Sequence, residues 1–226
     1  MSLFDAVLEF LGTVLTFVVG IYVYRLMYLL TKRRPTAPLH QNRSRLPTKT
    51  VIVMGSGGHT MEMSNLVGTL NPANYQPRVY IVAATDKMSL SKVEKMEEQF
   101  RRKPGNLHEY EVITIPRSRE VGQSYFSSIF TTLYSSLYSF YHVLRISPEL
   151  VICNGPGTCV PICFAVFLLK LFTFSDSTMI YIESICRVKS LSLSGKILIW
   201  IVDYLIVQWP ELALKYPRTH YIGYLL

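Results

Sequence analysis

An apolar run from residue 10 to residue 30 is the first pattern along the chain, and Arg25 is its only charged side chain. Its 21 residues match the length that an α-helix needs to cross about 30 Å of hydrocarbon. Arg25 lies near the end of the run, where its long side chain can snorkel to the interface. Asp5 and Glu9 precede the run and Lys32, Arg33 and Arg34 follow it. A cleavable signal has the reverse charge order and a small-residue cut site. The positive cluster predicts that the carboxyl side stays in the cytosol and the amino terminus is translocated. The competing reading is a helix lying along the membrane surface, for which Tyr22, Tyr24 and Tyr28 are suited. Residues 1–31 are thus expected to form a membrane anchor with its helix over about 10–30. Residues 32–48, rich in Pro, Arg, Thr and Ser, read as a basic linker.

A different rhythm occupies residues 49–226. Continuous apolar runs at 50–54, 78–83, 111–115, 150–153, 179–182 and 204–208 read as buried strands. Helical periodicities at 60–70, 90–101, 125–146, 159–172, 194–200 and 211–216 fall between them. Strand alternating with helix implies an α/β fold, a Rossmann-like open parallel sheet in one domain. The apolar stretch 160–174 holds Pro161 and Lys170 and directly follows a strand, so it reads as a domain helix, although its all-round hydrophobicity also suits partial immersion in a bilayer.

Composition narrows the class. The 226 residues leave room for the anchor and one domain of roughly 180 residues, not two. Half of the residues are apolar and 17% are charged, with a net charge of +8, which excludes a disordered chain. The first 48 residues hold six Lys/Arg against two Asp/Glu. This bias suits anionic headgroups, and with no basic stripe elsewhere nucleic acid is not an expected partner. Cys153, Cys159, Cys163 and Cys186 form no Cys-x-x-Cys pair and have no His at ligand spacing, so no metal site is expected.

Ligands of such sheets bind beyond the carboxyl ends of the strands, and the polar and Gly-rich segments fall on that rim. Gly55, Ser56, Gly57, Gly58, His59 and Thr60 follow the first strand. Backbone N–H groups in such a loop, together with the start of the next helix, can cradle a phosphate. The loop is an incomplete dinucleotide fingerprint, because Thr60 stands where a third glycine belongs and no acidic residue follows about 20 positions on. His59 has an ordinary pKa near 6.5, suited to a general base at neutral pH, and is equally readable as a structural residue. Asn154, Gly155, Pro156, Gly157 and Thr158 repeat the arrangement after the fourth strand, with Thr158 placed to cap the next helix. A diphosphate between two helix starts needs no metal for charge stabilisation. Glu183 ends the fifth strand and must either face the crevice or find a partner such as Arg187. Arg117 and Arg119 follow the third strand, where they reach a phosphate or decorate a solvated loop.

Residues 51–60 (VIVMGSGGHT), 154–158 (NGPGT) and 181–188 (YIESICRV), with Ser194-Gly195-Lys196 and Val207-Gln208-Trp209-Pro210, closely resemble the asparagine-linked glycosylation protein fourteen family over about residues 50–226. That resemblance implies the membrane-bound subunit of a transferase adding the second N-acetylglucosamine, from UDP-N-acetylglucosamine, to dolichol-diphosphate-linked N-acetylglucosamine. It implies a location at the endoplasmic reticulum membrane with the domain cytosolic, and similarity to the amino-terminal, acceptor-side half of a two-domain GT-B enzyme. A separate soluble subunit would hold the donor, and no other cofactor is implied. His59 and Glu183 become the candidate catalytic residues. The two glycine loops, Arg117, Arg119 and Arg187 become candidate acceptor-binding residues. The apolar end, residues 221–226 from Tyr221 to Leu226, is expected to dock into its own domain or support the partner interface. Two rivals share the fold: a nicotinamide-dependent oxidoreductase and a non-catalytic scaffold that only recruits an enzyme. The short-chain oxidoreductase motif Tyr-x-x-x-Lys occurs only at Tyr28 to Lys32, at the edge of the anchor.

Overall fold

The computed structural model describes residues 3–32, 47–103, 109–117, 122–155 and 157–225. Most of the linker, Arg119 and Pro156 lie outside the described residues. The elements run α1 (Leu3–Thr31), β1 (Thr50–Val53), α2 (Gly58–Thr69), β2 (Arg78–Ala83), α3 (Lys87–Arg101), β3 (Tyr110–Ile115), α4 (Tyr125–Ile146), β4 (Leu150–Asn154), α5 (Cys159–Thr173), β5 (Thr178–Ile182), α6 (Leu193–Leu198), β6 (Tyr204–Val207), α7 (Pro210–Lys215) and β7 (Thr219–Tyr221). One sheet holds the seven strands in the order β3-β2-β1-β4-β5-β6-β7, and every neighbouring pair is parallel. The expected Rossmann-like sheet is the one observed. The sequence pattern gives six strands, whereas the structure adds β7, whose three residues are too few to make an apolar run.

Alternation along the central strands sorts the core into two layers, because successive strand side chains point to opposite faces. Val51 and Val53 join α4 and α5 through Val143, Ile162 and Val166. Ile52 and Met54 join α2 and α3 through Met63, Val93 and Phe100. Covered on both faces, β1, β2 and β4 are buried along their whole length, which is why they read as unbroken apolar runs.

The all-round apolar helix α5 is a domain helix, as expected, with ten of its fifteen residues buried and Phe164 and Phe172 exposed. Its Lys170 is buried because Nζ donates to both carboxylate oxygens of Asp203 at 2.9 and 2.7 Å. A longer exposed apolar stripe runs along α4, whose Phe130, Leu133, Leu137 and Tyr141 are exposed at helical spacing. Ser135, Ser139 and Val143 form its buried side.

Among the described residues α1 is the one helix long and apolar enough to cross a membrane, with a mean hydropathy of 2.1 over a window that is not buried at all. It starts earlier than the expected residue 10, since Phe4, Val7 and Leu8 extend the apolar surface. Its last turns rest on the domain. Leu26, Leu29 and Leu30 pack against the α5 layer, and Tyr22 lies 5.6 Å from Phe172, ring to ring. Arg25 donates to the Lys170 carbonyl at 3.3 Å, and Arg218 donates to the Leu30 carbonyl at 2.7 Å.

Candidate active site

In this strand order the chain winds outward through β2 and β3 and then returns to lay β4 on the other side of β1. The loops leaving β1 and β4 therefore diverge to opposite faces and open a crevice at the carboxyl edge, the place where such sheets bind ligands. Both glycine loops stand there. Gly57 takes φ 62° at the start of α2, with no side chain capping the helix. Gly155 takes φ 66°. A Cβ built on Gly57, Gly58 or Gly157 meets nothing within 4 Å, so there is open space beside the backbone at these three positions.

His59 joins the loops. Its Nδ1 lies 2.9 Å from Asn154 Oδ1 and 3.6 Å from Glu62 Oε2, the second an ion-pair rather than a hydrogen-bond distance. The ring occupies the space over Gly155, where a Cβ would come within 2.1 Å of Cε1. Glycine is therefore required at 155 by the ring as well as by its backbone angle. Interaction with the Glu62 carboxylate raises the His59 pKa above its ordinary value; burial opposes this, while Asn154 and the charges of Glu62 and Glu183 add to it. For Glu62, burial acts upward, but His59, Ser184 and Asn154 outweigh it and hold the carboxyl below its usual range.

Glu62 is a site residue that the sequence reading did not single out. Its Oε1 accepts from Ser184 Oγ at 2.7 Å and from the Ile185 N–H at 3.3 Å. The usable signal was its position: three residues after His59 on one helix, the pair shares a face.

Other expected residues take different places. Thr60 is buried, and its hydroxyl bonds to the Gly55 carbonyl at 2.5 Å and to Ser89 Oγ at 2.8 Å, so it braces the loop rather than facing a ligand. Ser56 is exposed. Thr158 makes no side-chain cap on α5, contrary to expectation, because its backbone is already helical at φ −59°, ψ −23°. Glu183 neither faces the crevice nor pairs with Arg187, which is exposed. It is fully buried and accepts from Ser192 N at 2.9 Å, Ser192 Oγ at 3.0 Å and Ser184 N at 3.3 Å. A Cβ on Gly195 would sit 2.4 Å from its Oε2, so the start of α6 is built around this carboxylate. Tyr181 continues the bracing, with its hydroxyl 3.2 Å from Ser192 Oγ and donating to the Gly155 carbonyl at 3.4 Å. Arg117 is half-buried after β3, two strands from β1. No group of three His, Cys, Asp or Glu side chains suited to a metal ion occurs among the described residues.

The tail touches the same rim. Leu225 N–H donates to Gln208 Oε1 at 3.1 Å, and the Tyr224 ring lies 5.6 Å from Trp209, edge to face. Trp209 Nε1 donates to the Ile185 carbonyl at 2.7 Å. Tyr221, Ile222 and Tyr224 remain exposed.

An all-parallel doubly wound sheet with two glycine loops and a histidine at its switch point defines a Rossmann-like domain of the kind that forms one half of a GT-B glycosyltransferase. The fold matches Acinetobacter baumannii MurG with a TM-score of 0.50 at 14% identity, over 72% of this chain and 42% of MurG. Residues 50–225 match the family described as "Oligosaccharide biosynthesis protein Alg14 like", and the chain belongs to that family. It is 51% identical to the mouse UDP-N-acetylglucosamine transferase subunit ALG14 over 81% of this chain and 86% of the relative. It is 41% identical to the protein of the same name from Yarrowia lipolytica, over 89% and 92%.

Proposed function

We propose that this chain is the membrane-bound, acceptor-side subunit of an N-acetylglucosaminyltransferase at the endoplasmic reticulum. It adds the second N-acetylglucosamine of a dolichol-diphosphate-linked acceptor, and α1 spans the membrane with the domain in the cytosol. The observation that carries this reading is the convergence of His59 with both glycine loops at the switch point. Family membership supports the substrate class. The amides of the two loops and the starts of α2 and α5 hold the acceptor diphosphate without a metal, and a soluble partner holds most of UDP-N-acetylglucosamine.

The chemistry is a single inverting displacement. The acceptor 4-hydroxyl oxygen attacks the anomeric carbon from the face opposite UDP, and the bond to the UDP oxygen breaks as the new glycosidic bond forms. The hydroxyl proton passes to His59 Nε2. Glu183 acts as the buried brace that fixes β5 to α6, not as the base, because its oxygens are occupied by Ser184 and Ser192. The dehydrogenase rival is disfavoured by Thr60, whose bonds to Gly55 and Ser89 fill the place of a fingerprint glycine. In a complex co-expressed with the soluble subunit, His59→Ala is expected to lower turnover by about 10²- to 10⁴-fold while the subunits still co-purify. Full turnover of that variant removes His59 from the reaction, and full turnover after substitutions in both glycine loops would favour the scaffold reading.

A further inference from the structure

We infer that Glu62 is the positioning residue of the His59 base: a carboxylate clamped by the segment after β5, it keeps the imidazole proton on Nδ1 and turns the Nε2 lone pair to the crevice. This rests on the reading of His59 as the base.

Nδ1 faces two oxygens, Asn154 Oδ1 at 2.9 Å and Glu62 Oε2 at 3.6 Å. Both are acceptors, so the neutral ring carries its hydrogen on Nδ1 and leaves Nε2 bare. The ring is held there from below, since it lies in the space that a Cβ on Gly155 would fill. Ser184 Oγ and the Ile185 amide hold one Glu62 oxygen. The other, Oε2, is buried and receives no hydrogen bond.

A buried carboxylate oxygen without a donor is unfavourable, and it becomes favourable when the neighbouring ring turns positive. That happens when His59 takes the acceptor proton, so Glu62 interacts more strongly with the transition state than with the resting site. The charged groups facing His59 are Glu62 from α2 and Glu183 from the end of β5. The Tyr181 hydroxyl, on the Gly155 carbonyl, is kept protonated by burial. Glu62 alone of these lies within ion-pair distance of the ring.

The clamp reaches the tail. The Ile185 carbonyl accepts from Trp209, and the Trp209 ring meets Tyr224. Glu62 is thus held by a segment that is itself fixed from the carboxyl end of the chain.

The test is the pH dependence of turnover in the full-length complex with its soluble subunit, using UDP-N-acetylglucosamine and a short-chain diphosphate-linked acceptor. The base must be neutral, so the rate rises as pH passes upward through the His59 pKa, and loss of the Glu62 charge lowers that pKa. Glu62→Gln is expected to cut kcat about tenfold or more, leave both KM values unchanged and move the acid limb to lower pH. Glu62→Asp recovers part of the rate. Ser184→Ala, which leaves the carboxylate in place but unclamped, gives a smaller loss of kcat, and this variant carries the test if Glu62→Gln does not accumulate. His59→Ala combined with Glu62→Gln is no slower than His59→Ala alone, since the two act as one unit. A Glu62→Gln profile with the wild-type acid limb, or a loss that multiplies with that of His59→Ala, overturns the role of Glu62. A fully active His59→Ala complex overturns the base assignment itself.

Discussion

Gly155 has no side chain, and the His59 ring uses the space. Gly155→Ala would place a Cβ 2.1 Å from Cε1 and 2.2 Å from Nδ1, at a backbone φ of 66°. The ring then has to leave Asn154. Turnover of the Gly155→Ala complex is expected to fall by on the order of 10²-fold, the scale of an ångström-sized misplacement of a reacting group. Stability falls by about 1 kcal/mol from the left-handed backbone. Steady-state rates and thermal melting check this, and a variant with the wild-type rate would show that the ring does not need this seat. His59 and both glycine loops were legible in the sequence because glycine and histidine after an apolar run are local signals. Glu62 was not, because its Oε1 meets Ser184 and Ile185, 122 and 123 residues away, and its place three residues after His59 does not mark that contact. Glu183 was visible as an anomaly at a strand end, yet its partner Ser192 lies beyond the turn that sequence reading crossed to reach Arg187.

The strands were easy to read and the helices less so. Burial on both faces writes β1, β2 and β4 as apolar runs, whereas hydropathy alone mistakes which helix is outermost. The more apolar α5 buries most of its residues and exposes Phe164 and Phe172, while α4 exposes Phe130, Leu133 and Leu137 because serine fills its inner face. An all-round apolar helix belongs to an interior, and an amphipathic one has an outer side. Between α3 and β2 the fold depends on a buried pair. Glu97 takes two hydrogen bonds from Arg78 at 2.7 and 2.8 Å and one from the Tyr80 hydroxyl at 2.5 Å, and the Arg78 side chain is 1% exposed. Removing one partner strands the other charge, so Glu97→Ala is expected to destabilise the domain by about 3–5 kcal/mol. Chemical denaturation of the detergent-solubilised chain measures it, and a loss under about 1 kcal/mol would mean that water reaches Arg78.

One domain, one candidate span and a partly docked end make up the described molecule. Ile222 and Tyr224 are exposed beside the crevice, where the donor-binding subunit of the proposed complex would sit. Deleting residues 221–226 is therefore expected to abolish co-purification of the soluble subunit while leaving the chain in the membrane fraction, and undiminished co-purification would move the interface elsewhere. The other end of the molecule has a different consequence. Arg25 and Arg218 fasten the last turns of α1 to backbone carbonyls on either side of that joint, and Tyr22 wedges against Phe172. The domain does not hang from its anchor like a buoy on a slack line. In the proposed complex, with α1 across the bilayer, these contacts set the tilt of the domain, and with it the height at which the crevice meets a lipid-linked acceptor.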